Sequence, residues 1–84
     1  MMLSIRELVE GVVSSIVDNT DTVEIVEEET DSGLLFTITV GKDDVGKLIG
    51  KEGRVASALR TVVKAAGAKK GQRVLVNVNN KPLG

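Results

Sequence analysis

Residues 45–55 read VGKLIGKEGRV, and two glycines in this stretch, Gly50 and Gly53, lie between two short helical patterns. A residue without a Cβ lets the chain reverse tightly and lets the backbone of a ligand come close. The free N–H groups at the start of the second helix favour an anion. The stretch therefore predicts a turn between two helices that holds a phosphate chain.

Three cations, Lys47, Lys51 and Arg54, surround this turn. The dipole of the second helix disfavours a cation at its N-terminus by roughly a few tenths of a kcal/mol, so a cluster there indicates an anionic ligand. Glu52 is the one acid between the two glycines, and it weakens phosphate contact while complementing the dipole. The alternative is that the glycines only join two helices and the cations are incidental.

The composition excludes several classes of protein. The 84 residues contain no cysteine and no histidine, which removes disulfides, the usual zinc ligands and the commonest general acid–base group. We therefore expect no enzyme, no cofactor, no metal and no small-molecule substrate. No apolar run has the length of a membrane span and the chain does not begin like a signal peptide, so we expect no membrane association and a cytoplasmic protein.

The net charge of −1 hides a separation of charge along the chain. Residues 1–40 carry a net charge of −8 and residues 41–84 a net charge of +7. Binding depends on the local field and not on the average, and the basic half contains the glycine turn. The charge pattern is therefore compatible with a polyanionic ligand, although a solvated surface also explains it.

Hydrophobic periodicity predicts the element order α-β-β-α-α-β. The predicted helices are residues 4–18, a short helix capped by Asp43 or Asp44 and ending at Ile49, and a helix from Arg54 to Ala66 stopped by Gly67; the predicted strands are residues 22–30, 34–40 and 74–79. Strand 34–40 alternates apolar and less buried positions, which predicts a hairpin with one buried face. The expected class is α+β, a three-stranded sheet with helices on one face, occupying residues 1–80 and followed by a tail at 81–84.

The helix after the glycine turn has an apolar arc wider than one core contact requires. Burial between the sheet and neighbouring helices explains it, and so does a groove wall or a surface for self-association. For the second explanation the candidate dimer interface consists of Val55, Ala56, Leu59, Val62 and Val63.

Two nucleotide-binding motifs and the aromatic RNA-binding modules are excluded. Residues 41–47 match the start of a P-loop, but the eighth position, which should be Ser or Thr to hold Mg²⁺, is Leu48. The dinucleotide fingerprint fails at the same residue. Phe36 is the only aromatic residue and belongs to the predicted core, so bases cannot stack on aromatic side chains.

With these features residues 3–79 resemble a KH domain of the type II, prokaryotic arrangement, in which a G-x-x-G loop between two helices clamps about four nucleotides. Residues 46–54, GKLIGKEGR, together with residues 58–65, ALRTVVKA, are similar to the KhpA family of small bacterial RNA-binding proteins. In that family the domain is the whole chain.

The resemblance implies a set of sites and partners. Single-stranded RNA would contact Gly50, Lys51, Glu52 and Gly53 with neighbouring Lys47, Ile49 and Arg54, and Lys69 and Lys70 would lie in the variable loop. It also implies a homodimer, or a heterodimer with the larger KH protein KhpB (Jag), and an RNA-chaperone role linked to cell-wall synthesis and cell shape. The alternative is a dimerisation module for which RNA contact is secondary.

The residues also allow expectations that can be measured. Contact with three or four phosphates predicts that log K falls with log salt at a slope of about −2 to −3. We expect Gly50→Asp or Lys51→Asp to abolish binding of a short RNA while leaving thermal unfolding nearly unchanged.

Overall fold

The computed structural model describes residues 4–80, and its elements follow the predicted order α-β-β-α-α-β. The helices are α1 (Ile5–Ile16), α2 (Lys42–Ile49) and α3 (Arg54–Lys69), and the strands are β1 (Glu24–Thr30), β2 (Gly33–Val40) and β3 (Val74–Asn80). Short 3-10 turns at Thr20–Thr22 and Lys51–Gly53 complete the order. The predicted tail at 81–84 lies outside the described residues, as do residues 1–3.

The strands form one mixed sheet in the order β1-β2-β3. The strand β1 runs antiparallel to β2, and β3 runs parallel to β2, so that Phe36 faces Glu27 on one side and Val76 on the other. Alternate residues of β2 are buried, as the period-two pattern predicts. These buried residues, Leu34, Phe36, Ile38 and Val40, belong to one core cluster with residues of all three helices. The α+β class and the single buried face of the sheet are therefore confirmed.

The first helix begins with a capping box. The hydroxyl of Ser4 accepts from the backbone N–H of Glu7, and the carboxylate of Glu7 accepts from the backbone N–H of Ser4, each at 3.1 Å. The backbone N–H of Ser4 lowers the pKa of Glu7 below its ordinary value. The helix ends at Ile16, two residues before the predicted end, and a 3-10 turn follows it. Within the described residues no helix has the length and apolar character that crossing a membrane requires.

The prediction that Asp43 or Asp44 caps α2 is wrong. Gly41 is the N-cap and gives no side-chain hydrogen bond. Asp44 lies inside the helix and is only 4% exposed. Its two carboxylate oxygens accept the backbone N–H groups of Asp18 at 3.2 Å and Asn19 at 3.1 Å. Asp44 therefore provides the hydrogen-bond acceptors for the backbone N–H groups that follow α1, and it connects that loop to α2.

The predicted end of α3 is also wrong, because Gly67 does not stop the helix. Gly67 is buried in α3, and a Cβ there would lie 2.5 Å from Cγ2 of Val74 and 2.7 Å from the carbonyl oxygen of Gln72. The helix ends at Lys69, and Gly71 follows with a φ of 71°. The backbone N–H of Gly71 donates to the carbonyl of Ala68, and that of Gln72 donates to the carbonyl of Gly67. This pair of hydrogen bonds is a Schellman motif.

Candidate nucleic-acid interface

The turn between α2 and α3 is built from left-handed backbone. Gly50, Glu52 and Gly53 have φ angles of 77°, 56° and 75°. Among the described residues Glu52 is the one non-glycine with a positive φ, which costs about 1–2 kcal/mol for an L-residue. The backbone N–H of Gly53 donates to the carbonyl of Gly50 at 3.2 Å and closes the turn. The predicted tight reversal is present, and it includes a strained glutamate.

The two glycines of the turn serve different purposes. A Cβ on Gly50 would lie 2.4 Å from Cγ2 of Val55 and 2.9 Å from its backbone nitrogen, so Gly50 is required for packing at the start of α3. A Cβ on Gly53 would meet nothing within 4 Å. Gly53 therefore leaves open space beside the first turn of α3. The expectation that Gly50→Asp leaves the stability unchanged is wrong, because that side chain would collide with Val55.

The N-terminus of α3 is open to an anion. Its N-cap, Gly53, provides no side-chain hydrogen bond to the first N–H groups of the helix. Lys51 is exposed and, within residues 4–80, makes no ion pair. Arg54 approaches the carboxylate of Glu52 at 3.5 Å, a long contact between two exposed side chains. A phosphate at this position could therefore pair with Lys51 without breaking an existing ion pair of that lysine. It could also pair with Arg54, whose contact with Glu52 is weak.

Lys47 does not join the other two cations in this structure. Its ammonium donates a hydrogen bond to the carboxylate of Asp18 and lies 3.9 Å from Oδ1 of Asp44. The hydrogen bond to Asp18 raises the pKa of Lys47 above its ordinary value, and the charge of Asp44 acts in the same direction. The position of Lys47 in the sequence places it beside the turn. Nothing in the sequence indicates that an acid that follows α1, Asp18, binds this lysine.

Lys69 and Lys70 lie far from the glycine turn. Lys69 is the last residue of α3 and Lys70 is its C-cap, whereas the turn precedes the first residue of that helix. Sixteen helical residues span about 24 Å. The charge of Lys70 acts on Glu7 at the start of α1. The structure therefore does not bring these two lysines together with the other candidate residues.

An exposed aliphatic side chain adjoins the turn on the α2 side. Ile49, the last residue of α2, is one of the exposed large apolar side chains. Both α2 and α3 contact β3, whose outer edge has no strand partner among the described residues. At this edge Nε of Arg60 donates to the carbonyl of Val76 at 3.2 Å. The sequence does not single out Arg60, because the spacing of residues in α3 contains no information about the edge of a distant strand.

An apolar groove of about 430 Å³ lies between α1 and α3. Its lining residues are Val12, Ile16, Arg54, Val55, Ala58, Leu59 and Val62. Val62 is 48% exposed. By contrast Ala56, Leu59 and Val63 are buried in the chain itself. The five residues expected as a dimer interface therefore do not share one surface, and Val55 and Val62 are the two that reach the groove without being core.

The chain matches the family model described as the KH domain of KhpA/KhpB over residues 6–78. It is 40% identical over 73 residues to the RNA-binding protein KhpA of Listeria monocytogenes, covering 87% of this chain and 96% of that protein. The KhpA of Caldanaerobacter subterraneus is 43% identical over 72 residues, with coverages of 86% and 96%. The KhpA of Bacillus subtilis is 40% identical over 70 residues, with coverages of 83% and 86%.

A solved structure supports the fold alone. The crystal structure of an Era variant from Aquifex aeolicus, bound to GDP and aluminium fluoride, matches with a TM-score of 0.68 at 15% identity. The match covers 98% of this chain and 33% of that chain, so the present chain spans about one third of its length. The same arrangement of helices and strands therefore also occurs inside a larger protein.

Proposed function

Since this chain belongs to the KhpA/KhpB family of KH domains, we propose that it is a non-catalytic protein that binds the backbone of short single-stranded RNA at the turn from Gly50 to Gly53. The name of its relatives, RNA-binding protein KhpA, supports the ligand class. The fold supports the mode of binding, since the G-x-x-G loop of a KH domain clamps the backbone of about four nucleotides.

One observation carries the proposal: the space above Gly53 is open at the point where α3 begins without a side-chain cap. A phosphate in this space would accept hydrogen bonds from the first N–H groups of the helix. Lys51, exposed and without an acidic partner among the described residues, would neutralise its charge. The combination of this open space with an uncapped helix start and an exposed Lys51 favours a phosphate site over a turn that only connects two helices.

Each remaining residue of the turn has a separate role in the proposal. Arg54 exchanges the carboxylate of Glu52 for a phosphate, and Glu52 lowers the affinity by competing for it. Ile49 offers an aliphatic contact to a base. Lys69 and Lys70 contact only an RNA long enough to extend along α3. Specific base stacking on aromatic rings plays no part, because Phe36 is fully buried.

The position of the P-loop-like segment supports a protein without nucleotide hydrolysis. Residues 42–49 are helical, so Gly46 lies within α2 and not in a loop that wraps a phosphate chain. Lys47, which would be the P-loop lysine, is held by Asp18. ATP turnover that survives purification and disappears in Lys47→Ala would contradict a non-catalytic role.

The salt dependence of RNA affinity tests the proposal. Neutralisation of two phosphates by Lys51 and Arg54 predicts a slope of about −1.4 for log K against log salt, and a third cation would make it about −2.1. Fluorescence anisotropy of a labelled short single-stranded RNA between low and moderate salt measures it. Absence of binding at the lowest salt, or an affinity that does not change with salt, would contradict the proposal.

The cellular part of the proposal follows from the family. We propose an RNA-chaperone role in the cytoplasm, exercised with the larger KH protein KhpB and connected to cell-wall synthesis and cell shape. The support for this partner is that one family model describes the KH domains of both KhpA and KhpB. Crosslinking that recovers bound RNAs together with co-purifying proteins tests it, and recovery of RNA without a KH partner would contradict the pairing.

A second candidate function is self-association through the groove between α1 and α3. The observation that favours it is that Val62 is 48% exposed beside an apolar groove of about 430 Å³. A second copy placed there would bury this side chain together with Val55. In this alternative the protein is a dimerisation module and RNA contact is secondary. Light scattering at concentrations of roughly tens of micromolar, where a monomer would contradict it, is the direct test.

A further inference from the structure

Lys47 lies at the end of α2 that precedes the glycine turn, and its ammonium is already paired with a carboxylate. It is the basic residue in the last turn of α2, three positions before Gly50, where the glycine turn begins. A lysine ammonium on its flexible four-carbon stem can exchange one acceptor for another nearby. In the structure it donates to Asp18, which comes from a different part of the chain. The ammonium is therefore held near the turn by a carboxylate.

The position of the Asp18 backbone is set by hydrogen bonds to a buried carboxylate. Its backbone N–H donates to Oδ1 of Asp44, and the next N–H, of Asn19, donates to Oδ2 of the same carboxylate. Asp44 is 4% exposed, so the acceptor of these two bonds is shielded from water, and the bonds fix the loop that carries Asp18. The side chain of Asp18 itself remains 80% exposed. The fold thus fixes the backbone of Asp18 at a place from which its exposed carboxylate reaches Lys47.

We propose that Asp18 is an affinity-determining residue that competes with RNA phosphate for Lys47, so that RNA must displace this carboxylate before Lys47 can contribute. The inference rests on the proposed function of the glycine turn. An exposed ion pair is weak, so RNA can displace it. The free energy gained from a contact between Lys47 and phosphate is then reduced by the free energy of the lost Lys47–Asp18 pair. The chain therefore binds RNA less tightly than its three cations around the turn would allow.

The test is Asp18→Asn, which removes the charge of the carboxylate and retains the backbone N–H that Asp44 binds. We expect a labelled short single-stranded RNA to bind about two- to five-fold more tightly. We also expect the slope of log K against log salt to steepen from about −1.4 to about −2.1, because a third phosphate is neutralised. Asp18→Ser serves as a second variant, with the same expected direction, and thermal unfolding confirms that each variant is folded.

The matched control is Asp21→Asn, which changes the net charge equally. Asp21 is an exposed residue of the neighbouring 3-10 turn and, in the described part of the chain, makes no ion pair. A general effect of charge would raise the affinity of both variants alike, whereas competition for Lys47 raises only that of Asp18→Asn. Adding Lys47→Ala to Asp18→Asn should cancel the gain, so that the double variant binds no more tightly than Lys47→Ala alone.

The outcomes separate this inference from the proposed function. If the unmodified protein binds RNA through Lys51 but Asp18→Asn gains no more than Asp21→Asn, the inference is overturned and the proposed function stands. If Asp18→Asn gains affinity and Lys47→Ala does not cancel the gain, the competition does not act through Lys47 and the inference is again overturned. If none of the proteins binds RNA, both are overturned.

Discussion

A Cβ atom on Gly50 would lie 2.4 Å from Cγ2 of Val55, five residues further along the chain. The Gly50 backbone, with φ 77° and ψ 177°, also occupies a region that only glycine adopts readily. The first glycine of the turn is therefore fixed by packing and by backbone conformation together. The second, Gly53, is constrained by its φ of 75° alone.

This difference predicts that the two glycines respond unequally to alanine. Gly50→Ala should lower the free energy of unfolding by about 2–5 kcal/mol, from backbone strain and from overpacking against Val55. Gly53→Ala, the matched control, should cost only about 1–2 kcal/mol, because its Cβ enters open space. Urea denaturation of both variants measures this. Equal losses would show that the contact with Val55 adds nothing to the cost.

The strained Glu52 predicts that stability and affinity can be separated at one position. Glu52→Asn should raise the free energy of unfolding by about 0.5–1 kcal/mol, because asparagine adopts the left-handed region more readily. Glu52→Gln, its control, should leave the stability nearly unchanged. Both variants should bind a short RNA about two- to five-fold more tightly, since Arg54 loses its acidic partner. An affinity that stays at the unmodified level in both would remove Glu52 as a competitor.

The buried carboxylate of Asp44 predicts a stability effect from a single charge. An asparagine there would offer one oxygen to two backbone N–H groups and would point its own NH₂ at the other. Asp44→Asn should therefore lower the free energy of unfolding by about 1–3 kcal/mol. The neighbouring exposed residue provides the control, and Asp43→Asn should stay within about 0.5 kcal/mol of the unmodified protein. Coinciding denaturation curves for the two variants would contradict the role of Asp44.

The groove between α1 and α3 predicts an effect on molecular mass. If self-association uses this groove, Val62→Asp should shift the mass by light scattering from dimer to monomer. Val26→Asp is the matched control, because Val26 is an equally apolar residue, 56% exposed, on β1 and not in the groove. It should leave the mass unchanged. A dimer that persists in Val62→Asp would place any interface elsewhere.

Local periodicity in the sequence is sufficient to predict several features of the fold. The alternation of Leu34, Phe36, Ile38 and Val40 predicts the buried face of the sheet because neighbouring residues of a strand point to opposite faces. Ser4 and Glu7 predict the start of α1 because a capping box is formed within one helical turn. The glycine turn is predictable for the same reason, since its conformation depends on a few consecutive residues.

Features that depend on distant contacts could not be read from the sequence. Gly67 has the appearance of a helix stop, but its role is set by Val74 passing within 2.5 Å of the Cβ position. Asp44 resembles an N-cap, but backbone N–H groups of residues 18 and 19 bind its carboxylate. The wide apolar arc of α3 leaves open which positions are core, and tertiary packing decides that Ala56 and Val63 are buried and Val62 is not.

The most direct test of RNA binding at the glycine turn is the affinity of Lys51→Asp for a labelled short single-stranded RNA, measured by fluorescence anisotropy. Lys64→Asp, an exposed cation of α3 outside the turn, is the control for the change in charge. Phosphate binding at the turn predicts that Lys51→Asp abolishes binding with an unchanged thermal unfolding curve, while Lys64→Asp retains most of the affinity. An unchanged affinity in folded Lys51→Asp, or an equal loss in both variants, would contradict it.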